Sequence, residues 1–307
     1  MPRPHRVAVR APAKVNLALS VGPRRRDGYH DLVSVFHAVS LVDEVRAEPA
    51  PPGRVTLGVT GTQAAAVPRD GTNLAVRAAR ALADHAGTEQ GVALHVTKGI
   101  PVAGGMAGGS ADAAAALVAC DALWGTALAR DELLALAADL GADVPFSLVG
   151  GTAVGSGRGD RLTPALARGS FHWVFAVTAE GLSTPAVYAE LDRLRAESPR
   201  RPVPRPTVAE AVMTALRSGD AEALGAALSN DLEPAACSLR PRLRNVLDGG
   251  RELGALGAVV SGSGPTCAFL AGDESHALDL AVGLTATGVA GDVRRATGPV
   301  PGARVVG

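Results

Sequence analysis

The sequence is poor in lysine, in aromatic residues and in cysteine, and it has no net charge. Aromatic residues make up 3% of the 307 residues, and 30 acidic residues balance the 30 basic ones. A chain without a basic excess lacks the electrostatic footprint of a dedicated nucleic-acid binder, which disfavours that class of protein. The three cysteines are far apart and form no CxxC pair, which argues against disulfides and against a thiolate metal site.

Long apolar runs are also absent from the sequence. No stretch approaches the roughly 18 uninterrupted apolar residues that a membrane span needs. Residues 1–10 are basic but lead into alternating residues instead of an apolar segment with a cleavage site, so no secretory leader is predicted. We therefore expect a cytoplasmic protein that binds neither membranes nor nucleic acid. Its oligomeric state is expected to be a monomer or a weak homodimer.

Lysine occurs at only two positions, Lys14 and Lys98, and arginine supplies the other basic residues. Exposed sites tolerate either residue, whereas a planar guanidinium cannot replace a compact ammonium beside a crowded phosphate. The two lysines are therefore candidates for sites of tight geometry. The alternative is that they are chance survivors of a bias toward arginine.

Hydrophobic periodicity predicts strands and helices that are mixed without strict alternation, as in an α+β fold. Alternating residues from 6 to 21 predict two strand segments that meet at a kink after Pro12. Lys14 and Asn16 then point to the same face of the second segment. Helices are predicted over residues 73–85, 113–124, 130–140, 184–195, 208–217, 241–253 and 274–287.

Three local predictions concern how these elements begin and end. Thr72 is predicted to cap the first helix. Asp143 is predicted to lie on a loop after the glycine that ends the helix over 130–140. Residues 152–164 are predicted to be rich in turns.

The length of the chain favours two domains. We predict an amino-terminal domain over residues 1–160 and a carboxy-terminal domain over residues 161–307. Residues 197–206, dense in proline and arginine, are predicted to form a surface loop.

The strongest single motif is a glycine-rich loop over residues 101–112 that opens directly into an apolar helix. Glycines without a Cβ let backbone N–H groups converge on an anion, and the positive end of the helix near Ser110 adds to the attraction. The loop lacks the Lys-Ser/Thr pair of a Walker A motif and the downstream acidic residue of a Rossmann fingerprint. We predict a phosphate site here, the alternative being a tight packing site between helix and strand.

The glycine-rich loop favours a functional interpretation of Lys14 and Asp143. Alone, Asp143 would be a turn or capping residue and Lys14 a solvated lysine at a strand edge. A phosphate loop, a carboxylate that accepts a hydroxyl proton and a lysine that stabilises the transferred group are together the parts of a phosphoryl transferase. Tyr29 and Tyr188, the only tyrosines, are candidates for clamping a base or for packing between domains.

Three motifs, in this order, resemble those of the GHMP kinase superfamily: Pro12-Ala-Lys-Val-Asn-Leu17, Pro101 to Ala114, and Ser261-Gly-Ser-Gly-Pro-Thr266. The resemblance runs from about residue 6 to about residue 295. It implies a two-domain α+β fold, with a ribosomal-protein-S5-like amino-terminal domain and a ferredoxin-like α/β sandwich as the carboxy-terminal domain. The active site would lie in the cleft between them.

Narrower motifs are similar to those of family members that act on a cytidine-linked alcohol: Arg26-Asp-Gly-Tyr-His-Asp-Leu32, Gly141-Ala-Asp-Val-Pro-Phe146, Ser183-Thr-Pro-Ala-Val-Tyr188 and Asn230-Asp-Leu232. They imply ATP-dependent phosphorylation, with Mg²⁺, of the 2-hydroxyl of a CDP-linked methylerythritol in the non-mevalonate route to isoprenoid precursors. The alternatives are another kinase of the superfamily, acting on homoserine or a mevalonate-type alcohol, or a noncatalytic nucleotide-binding module.

The resemblance also implies a role for individual residues. Asp143 would be the general base, and Lys14 would orient the hydroxyl and stabilise the transferring group. Ser110 would be the first candidate for a metal ligand and Asp143 the second. The implied ATP contacts are Asn73, Lys98, Pro101, Val102, Ala103, Gly104, Gly105, Met106, Ala107, Gly108, Gly109, Ser110 and Ala111. The implied substrate contacts are Asn16, Tyr29, His30, Phe36 and Tyr188, with the two tyrosines stacking on cytosine and His30 reading its edge.

The chain departs from the family pattern at a few positions. Ala103 and Ala107 occupy loop positions where glycine is familiar, which restricts the backbone near the phosphates. Asp112 stands where an amide is familiar. Its negative charge would repel a triphosphate unless Mg²⁺ or a nearby cation offsets it. Tyr188 stands in place of phenylalanine, which preserves stacking.

Overall fold

The computed structural model describes residues 6–102, 104–178, 181–197 and 202–306. Ala103 of the predicted phosphate loop and residues 198–201 of the predicted surface loop lie outside the described residues. The described strands are β1 (Val7–Arg24), β2 (His30–Ala50), β3 (Val55–Gly61), β4 (Gly91–Lys98), β5 (Thr152–Gly157), β6 (Arg161–Pro164), β7 (Phe171–Val177), β8 (Ser229–Asn230), β9 (Gly257–Val260), β10 (Cys267–Ala271), β11 (Asp292–Gly298) and β12 (Arg304–Val305). The described α-helices are α1 (Leu74–Ala86), α2 (Gly108–Trp124), α3 (Arg130–Leu140), α4 (Val144–Val149), α5 (Thr184–Glu197), α6 (Glu210–Ser218), α7 (Ala221–Ala227), α8 (Glu233–Leu239), α9 (Arg242–Glu252) and α10 (Glu274–Ala286).

The strands form two sheets. The first runs in the order β12-β1-β2-β4-β3, with β5 beside β2, β6 beside β5 and β8 beside β1. The second is antiparallel and runs in the order β11-β7-β10-β9. Helices and strands are mixed without strict alternation along the chain, so the predicted α+β fold is confirmed.

Strands β1 and β2 form a long antiparallel pair that carries the first motif. The register of the pair shifts between Pro12 and Ala13 and again between Asn16 and Ala18. Proline has no N–H to donate to a ladder, which accounts for the irregularity after Pro12. The predicted kink is therefore a bulge within one continuous strand.

Helix α2 packs across the first sheet and has more buried residues than any other described helix. Eleven of its 17 residues are buried, and small alanine side chains let it lie close to β1 and β2. The surrounding core continues into the second sheet through Phe171, Trp173 and Phe175. Both ends of the glycine-rich loop are thus attached to rigid elements, because β4 precedes the loop and α2 follows it.

Several local predictions need correction. Asn73, not Thr72, caps α1, because its Oδ1 accepts a hydrogen bond of 2.8 Å from the N–H of Ala75. Asp143 lies, as predicted, on the turn after Gly141, but that turn leads into the short helix α4, which was not predicted and of which Asp143 is the N-cap residue. The region predicted to be turns contains β5, where two glycines interrupt the strand pattern, and β6, which is only four residues long. The short helices α7 and α8 were not predicted either.

The division of the chain at residue 160 stays a prediction. Strand β6 belongs to the first sheet and ends at Pro164, and β7 begins the second sheet at Phe171. The chain returns to the first sheet near its carboxy end, where β12 pairs with β1. Among the described helices, none has the length and hydropathy that crossing a bilayer requires.

Candidate active site

The glycine-rich loop rests on the turn over residues 261–265, which is the third motif. Ser261 Oγ donates to the carbonyl of Gly105 over 3.1 Å, and the N–H of Thr266 donates to the carbonyl of Gly104 over 3.4 Å. A Cβ on Gly105, whose φ is 74°, would lie 2.2 Å from the carbonyl oxygen of Ser261. Packing between the two loops therefore requires glycine at this position, whether or not an anion binds.

The end of the loop differs from its beginning because it opens toward solvent. Helix α2 begins at Gly108, two positions before the predicted start near Ser110, and Gly109 is exposed. Ala107, at the N-cap position, has no side-chain acceptor for the first N–H groups of the helix, which leaves them available to an anion. Ala107 also adopts a left-handed φ of 61°, a conformation that costs a residue with a Cβ about 1 kcal/mol or more.

Lys14 is buried beside this loop and is held by a chain of hydrogen bonds. Its Nζ donates to Asn16 Oδ1 over 2.6 Å, and Asn16 Nδ2 donates to Ser34 Oγ over 2.7 Å. The backbone N–H of Lys14 donates to the carbonyl of Met106 over 3.2 Å, which joins β1 to the loop. The predicted shared face of Lys14 and Asn16 thus exists, and it lines the site.

Asp143 completes the polar centre. Its Oδ2 lies 3.9 Å from Lys14 Nζ, and its side chain is 34% exposed whereas that of Lys14 is 6% exposed. Within the described residues, no backbone N–H of α4 donates to this carboxylate, which leaves it free to accept a proton from an incoming group. Burial lowers the pKa of Lys14, and the negative charge of Asp143 opposes that shift.

Aromatic side chains also lie near Lys14. The Phe36 ring centroid is 5.8 Å from Lys14 Nζ, and Phe36 packs on Phe146 with the ring centroids 5.1 Å apart. The ring of Tyr188 lies 5.2 Å from that of His30. Burial raises the pKa of Tyr188 to about 12, with a further contribution from the charge of Asp143, so the phenol stays neutral at ordinary pH. The structure therefore brings His30 and Tyr188 together.

Tyr29 does not join this group. It lies on the turn between β1 and β2, where its N–H donates to Asp27 Oδ1 over 3.1 Å, and it is 60% exposed. Its predicted stacking on a base stays a prediction. The ring would have to cover a ligand from the solvent side of the cleft.

Lys98 lies in a buried cluster beneath the glycine-rich loop. Its ammonium donates to Asp43 Oδ2 and, over 2.7 Å, to Asp112 Oδ2. Asp43 Oδ1 in turn accepts from the N–H groups of Gly99 and Ile100 over 2.7 and 2.9 Å. The three charged residues therefore connect β2, the end of β4 and the first turns of α2, on both sides of the loop.

Lys98 is the nearby cation that offsets the charge of Asp112. Burial lowers the pKa of Lys98, but the charges of Asp112 and Asp43 outweigh it and raise that pKa above its ordinary value. The Lys98 side chain is 2% exposed, and its ammonium is bound by two carboxylates. Its contact with adenine therefore stays a prediction. Asn73 lies near the loop. The next residue along the chain, Leu74, places its Cδ1 3.7 Å from where a Cβ on Gly109 would be.

Sequence reasoning missed several residues of this site. Asp43 was overlooked because a single carboxylate in a strand has no spacing signal, although its place among apolar strand residues was one available clue. Asn230 was noted only as part of a motif. Its Nδ2 donates to the carbonyls of Val260 and Gly262, both over 2.7 Å, and so supports the turn beneath the glycine-rich loop.

Family models match both halves of the chain. Residues 73–151 match the GHMP kinases N terminal domain, and residues 212–290 match the GHMP kinases C terminal domain. The first match contains the glycine-rich loop and Asp143, and the second contains the third motif. The chain is a GHMP kinase.

Known proteins define its place in that family more narrowly. It is 58% identical over 312 aligned residues to a 4-diphosphocytidyl-2-C-methyl-D-erythritol kinase from Thermobifida fusca (strain YX), and the match covers 100% of both chains. A crystal structure of a 4-(cytidine 5'-diphospho)-2C-methyl-D-erythritol kinase is 37% identical, with a TM-score of 0.75, over 94% of this chain and 98% of that one. Identity of this extent over the full length places this GHMP kinase among the 4-diphosphocytidyl-2-C-methyl-D-erythritol kinases.

A homoserine kinase from Cytophaga hutchinsonii ATCC 33406 has an equally similar fold. Its TM-score is 0.76 at 19% identity, over 100% of this chain and 99% of that one. The likeness at this identity shows the fold alone, because GHMP kinases of different substrates share it. This GHMP kinase is accordingly an ATP-dependent enzyme that acts on a small molecule.

Proposed function

We propose that this kinase transfers the γ-phosphoryl group of ATP to the 2-hydroxyl of 4-diphosphocytidyl-2-C-methyl-D-erythritol, a step of the non-mevalonate route to isoprenoid precursors. The observation that carries the proposal is the placement of Lys14 and Asp143, 3.9 Å apart, beside a glycine-rich loop that opens into α2. The names of relatives that match over the full length of the chain support the choice of substrate.

The proposed reaction forms one bond and breaks one. The 2-hydroxyl oxygen attacks the γ-phosphorus, the bond from that phosphorus to the bridging oxygen of ADP breaks, and the hydroxyl proton passes to the carboxylate of Asp143. Lys14 stabilises negative charge on the transferring group, and Asn16 Oδ1 fixes the direction of its ammonium. The N–H groups at the start of α2 bind the phosphates of ATP.

Mg²⁺ fits the donor set of this site, because the ion prefers oxygen ligands and commonly takes one or two from the protein together with phosphate oxygens. The Ser110 hydroxyl, in the first turn of α2, would hold it, and the partly exposed carboxylate of Asp143 is the second candidate ligand. When bound, Mg²⁺ supplies neutralisation of the charge on the β- and γ-phosphates.

The test of the function is ATP consumption by the purified protein with three alcohols offered separately: 4-diphosphocytidyl-2-C-methyl-D-erythritol, homoserine and mevalonate. ADP release is followed with a coupled assay in the presence of Mg²⁺. We expect turnover with the cytidine-linked alcohol alone. Turnover with homoserine or mevalonate instead would contradict the proposed substrate. No ADP release with any of the three alcohols would favour a nucleotide-binding module without catalysis.

Replacing Lys14 by arginine is expected to lower kcat by about 10²- to 10³-fold, in the range found when a preorganised donor to the transition state is lost. A Cβ placed on Gly262 would lie 3.0 Å from Lys14 Nζ, so the ammonium lies close against the backbone of this turn, and a larger planar guanidinium could not take the same position. Steady-state kinetics with saturating ATP measure the effect. Arg217→Lys, at an exposed position of α6, is the reverse swap and should keep kcat unchanged.

We propose further that the enzyme works in the cytoplasm, as a monomer or weak homodimer, without nucleic acid or membrane as a partner. The equal numbers of acidic and basic residues support the absence of a polyanionic partner. The three cysteines are free and buried, which suits a reducing compartment.

A further inference from the structure

The imidazole of His30 is held by the carboxylate of Asp192. His30 Nε2 lies 2.8 Å from Asp192 Oδ1, and the side chain of His30 is 4% exposed. Asp192 lies four positions after Tyr188 in α5, so the two side chains share one face of the helix. The ring of Tyr188 lies 5.2 Å from that of His30. One helix thus supplies both an aromatic surface and an anchor for the imidazole.

The pairing with Asp192 determines which nitrogen of neutral His30 carries the proton. An ionised carboxylate can only accept hydrogen bonds, so Nε2 must carry the hydrogen that lies between the two groups. The other nitrogen, Nδ1, is then an acceptor. The hydrogen bonds of the described residues include none to Nδ1 of His30. Arg24 Nε lies 3.8 Å from the second oxygen of Asp192 and balances its charge.

An acceptor at this place distinguishes two pyrimidines of nearly the same shape. Cytosine has an amino group at its 4-position, which donates hydrogen bonds, whereas a pyrimidine with a 4-carbonyl presents an acceptor there. An imidazole nitrogen with a lone pair attracts the first group and repels the second. A histidine whose proton could move to Nδ1 would instead accommodate either base.

We propose that Asp192 sets the base specificity of this kinase, by holding His30 in the tautomer whose Nδ1 accepts a hydrogen bond from the 4-amino group of cytosine. Asp192 is a positioning residue in this scheme, since it acts through His30 and does not touch the base. The inference rests on the proposed function, because it presumes a cytidine-linked substrate.

The test compares kcat/KM for the cytidine-linked alcohol with kcat/KM for its uridine-linked analogue. We expect the wild-type enzyme to prefer the cytidine compound by roughly 10- to 100-fold or more, the discrimination of a good base contact. In Asp192→Asn the amide can donate to Nε2 as well as accept from it, so His30 can present a proton on Nδ1. The preference should then fall to roughly threefold or less, through weaker use of the cytidine compound and better use of the uridine compound.

Asp279→Asn is the matched control, because it makes the same substitution at an exposed position of α10 and should leave the preference unchanged. Loss of activity on both substrates by the same factor in Asp192→Asn would show a merely structural role and overturn the inference. An unchanged preference would overturn it too. A wild-type enzyme that does not use the cytidine compound would refute the proposed function instead, so the two failures are distinguishable.

A second measurement does not depend on Asp192→Asn being folded. Nitrogen-15 spectra of the histidine rings in the wild-type protein, recorded over a series of pH values, report which ring nitrogen of each neutral imidazole carries hydrogen. The His30 signal is assigned by its loss in His30→Gln. We expect hydrogen on Nε2 and a bare Nδ1, and the opposite tautomer would overturn the inference.

Discussion

Asp143→Asn is expected to lower kcat by about 10²- to 10⁴-fold, the range over which general base catalysis contributes. Asparagine keeps the size of the side chain but cannot take the hydroxyl proton at ordinary pH. The carboxylate lies at the N-cap of α4 without capping it, so the substitution leaves the hydrogen bonds of the helix intact. Kinetics with both substrates saturating measure the loss, and the KM for ATP should change little.

The pH profile offers an independent check on the same variant. Burial lowers the pKa of Lys14, and Asp143 is the group that opposes this shift, so removing its charge should lower the pKa of Lys14 further. The ammonium then loses its proton at lower pH. The alkaline limb of the variant's residual activity should therefore move to lower pH than in the wild type.

The control is Asp139→Asn, the same change at an exposed position near the end of α3. It should keep both kcat and the pH profile. Near-normal turnover in Asp143→Asn would remove the general-base role and leave Asp143 as a residue that positions Lys14. A rise in the KM for ATP without a fall in kcat would point to a role in holding the nucleotide instead.

Lys98→Met is expected to lower the free energy of unfolding by about 3–5 kcal/mol, because it leaves two buried carboxylates without their cation. Asp43 and Asp112 are both buried, and both accept hydrogen bonds from the Lys98 ammonium. One carboxylate oxygen, Asp112 Oδ1, already has no hydrogen-bond partner among the described residues. Denaturant titration followed by circular dichroism measures the loss.

The double variant Lys98→Met with Asp112→Asn separates charge from packing. It removes one cation and one anion, so it should recover part of the lost stability if unpaired charge is the cause. If the double variant is no more stable than Lys98→Met, the loss comes from the packing of the lysine stem. If Lys98→Met is as stable as the wild type, the ion pairs of Lys98 contribute nothing to the free energy of unfolding.

Much of the site could be read from the chain because its residues stand in local motifs. Alternation along β1 predicted that Lys14 and Asn16 share a face, and the structure joins them by a hydrogen bond of 2.6 Å. The glycine-rich loop and the helix after it were predictable from glycine spacing and from the run of alanines. Errors fell where local signals compete, as at Thr72 and Asn73, two adjacent residues that are both good helix caps.

The contacts between distant parts of the chain were not predictable in this way. Asp43 meets Lys98 and Asp112 only because β2, β4 and α2 come together beneath the loop, and a carboxylate 55 positions from its lysine leaves no periodic trace. The pairing of His30 with Asp192 spans 162 positions. Gly105 illustrates the same limit, since the atom that excludes a side chain there belongs to Ser261.

The sequence by itself determined the α+β class, the glycine-rich loop, the candidate pair of Lys14 and Asp143 and the resemblance to GHMP kinases, because each depends on residue types at short spacing. Only the tertiary structure decided which charges are paired and which stay free. It paired Lys98 with two carboxylates and left Asp143 partly exposed beside Lys14. The physical reason is that the neighbours that decide a charge's pairing and hydration come from strands and helices far apart in the chain.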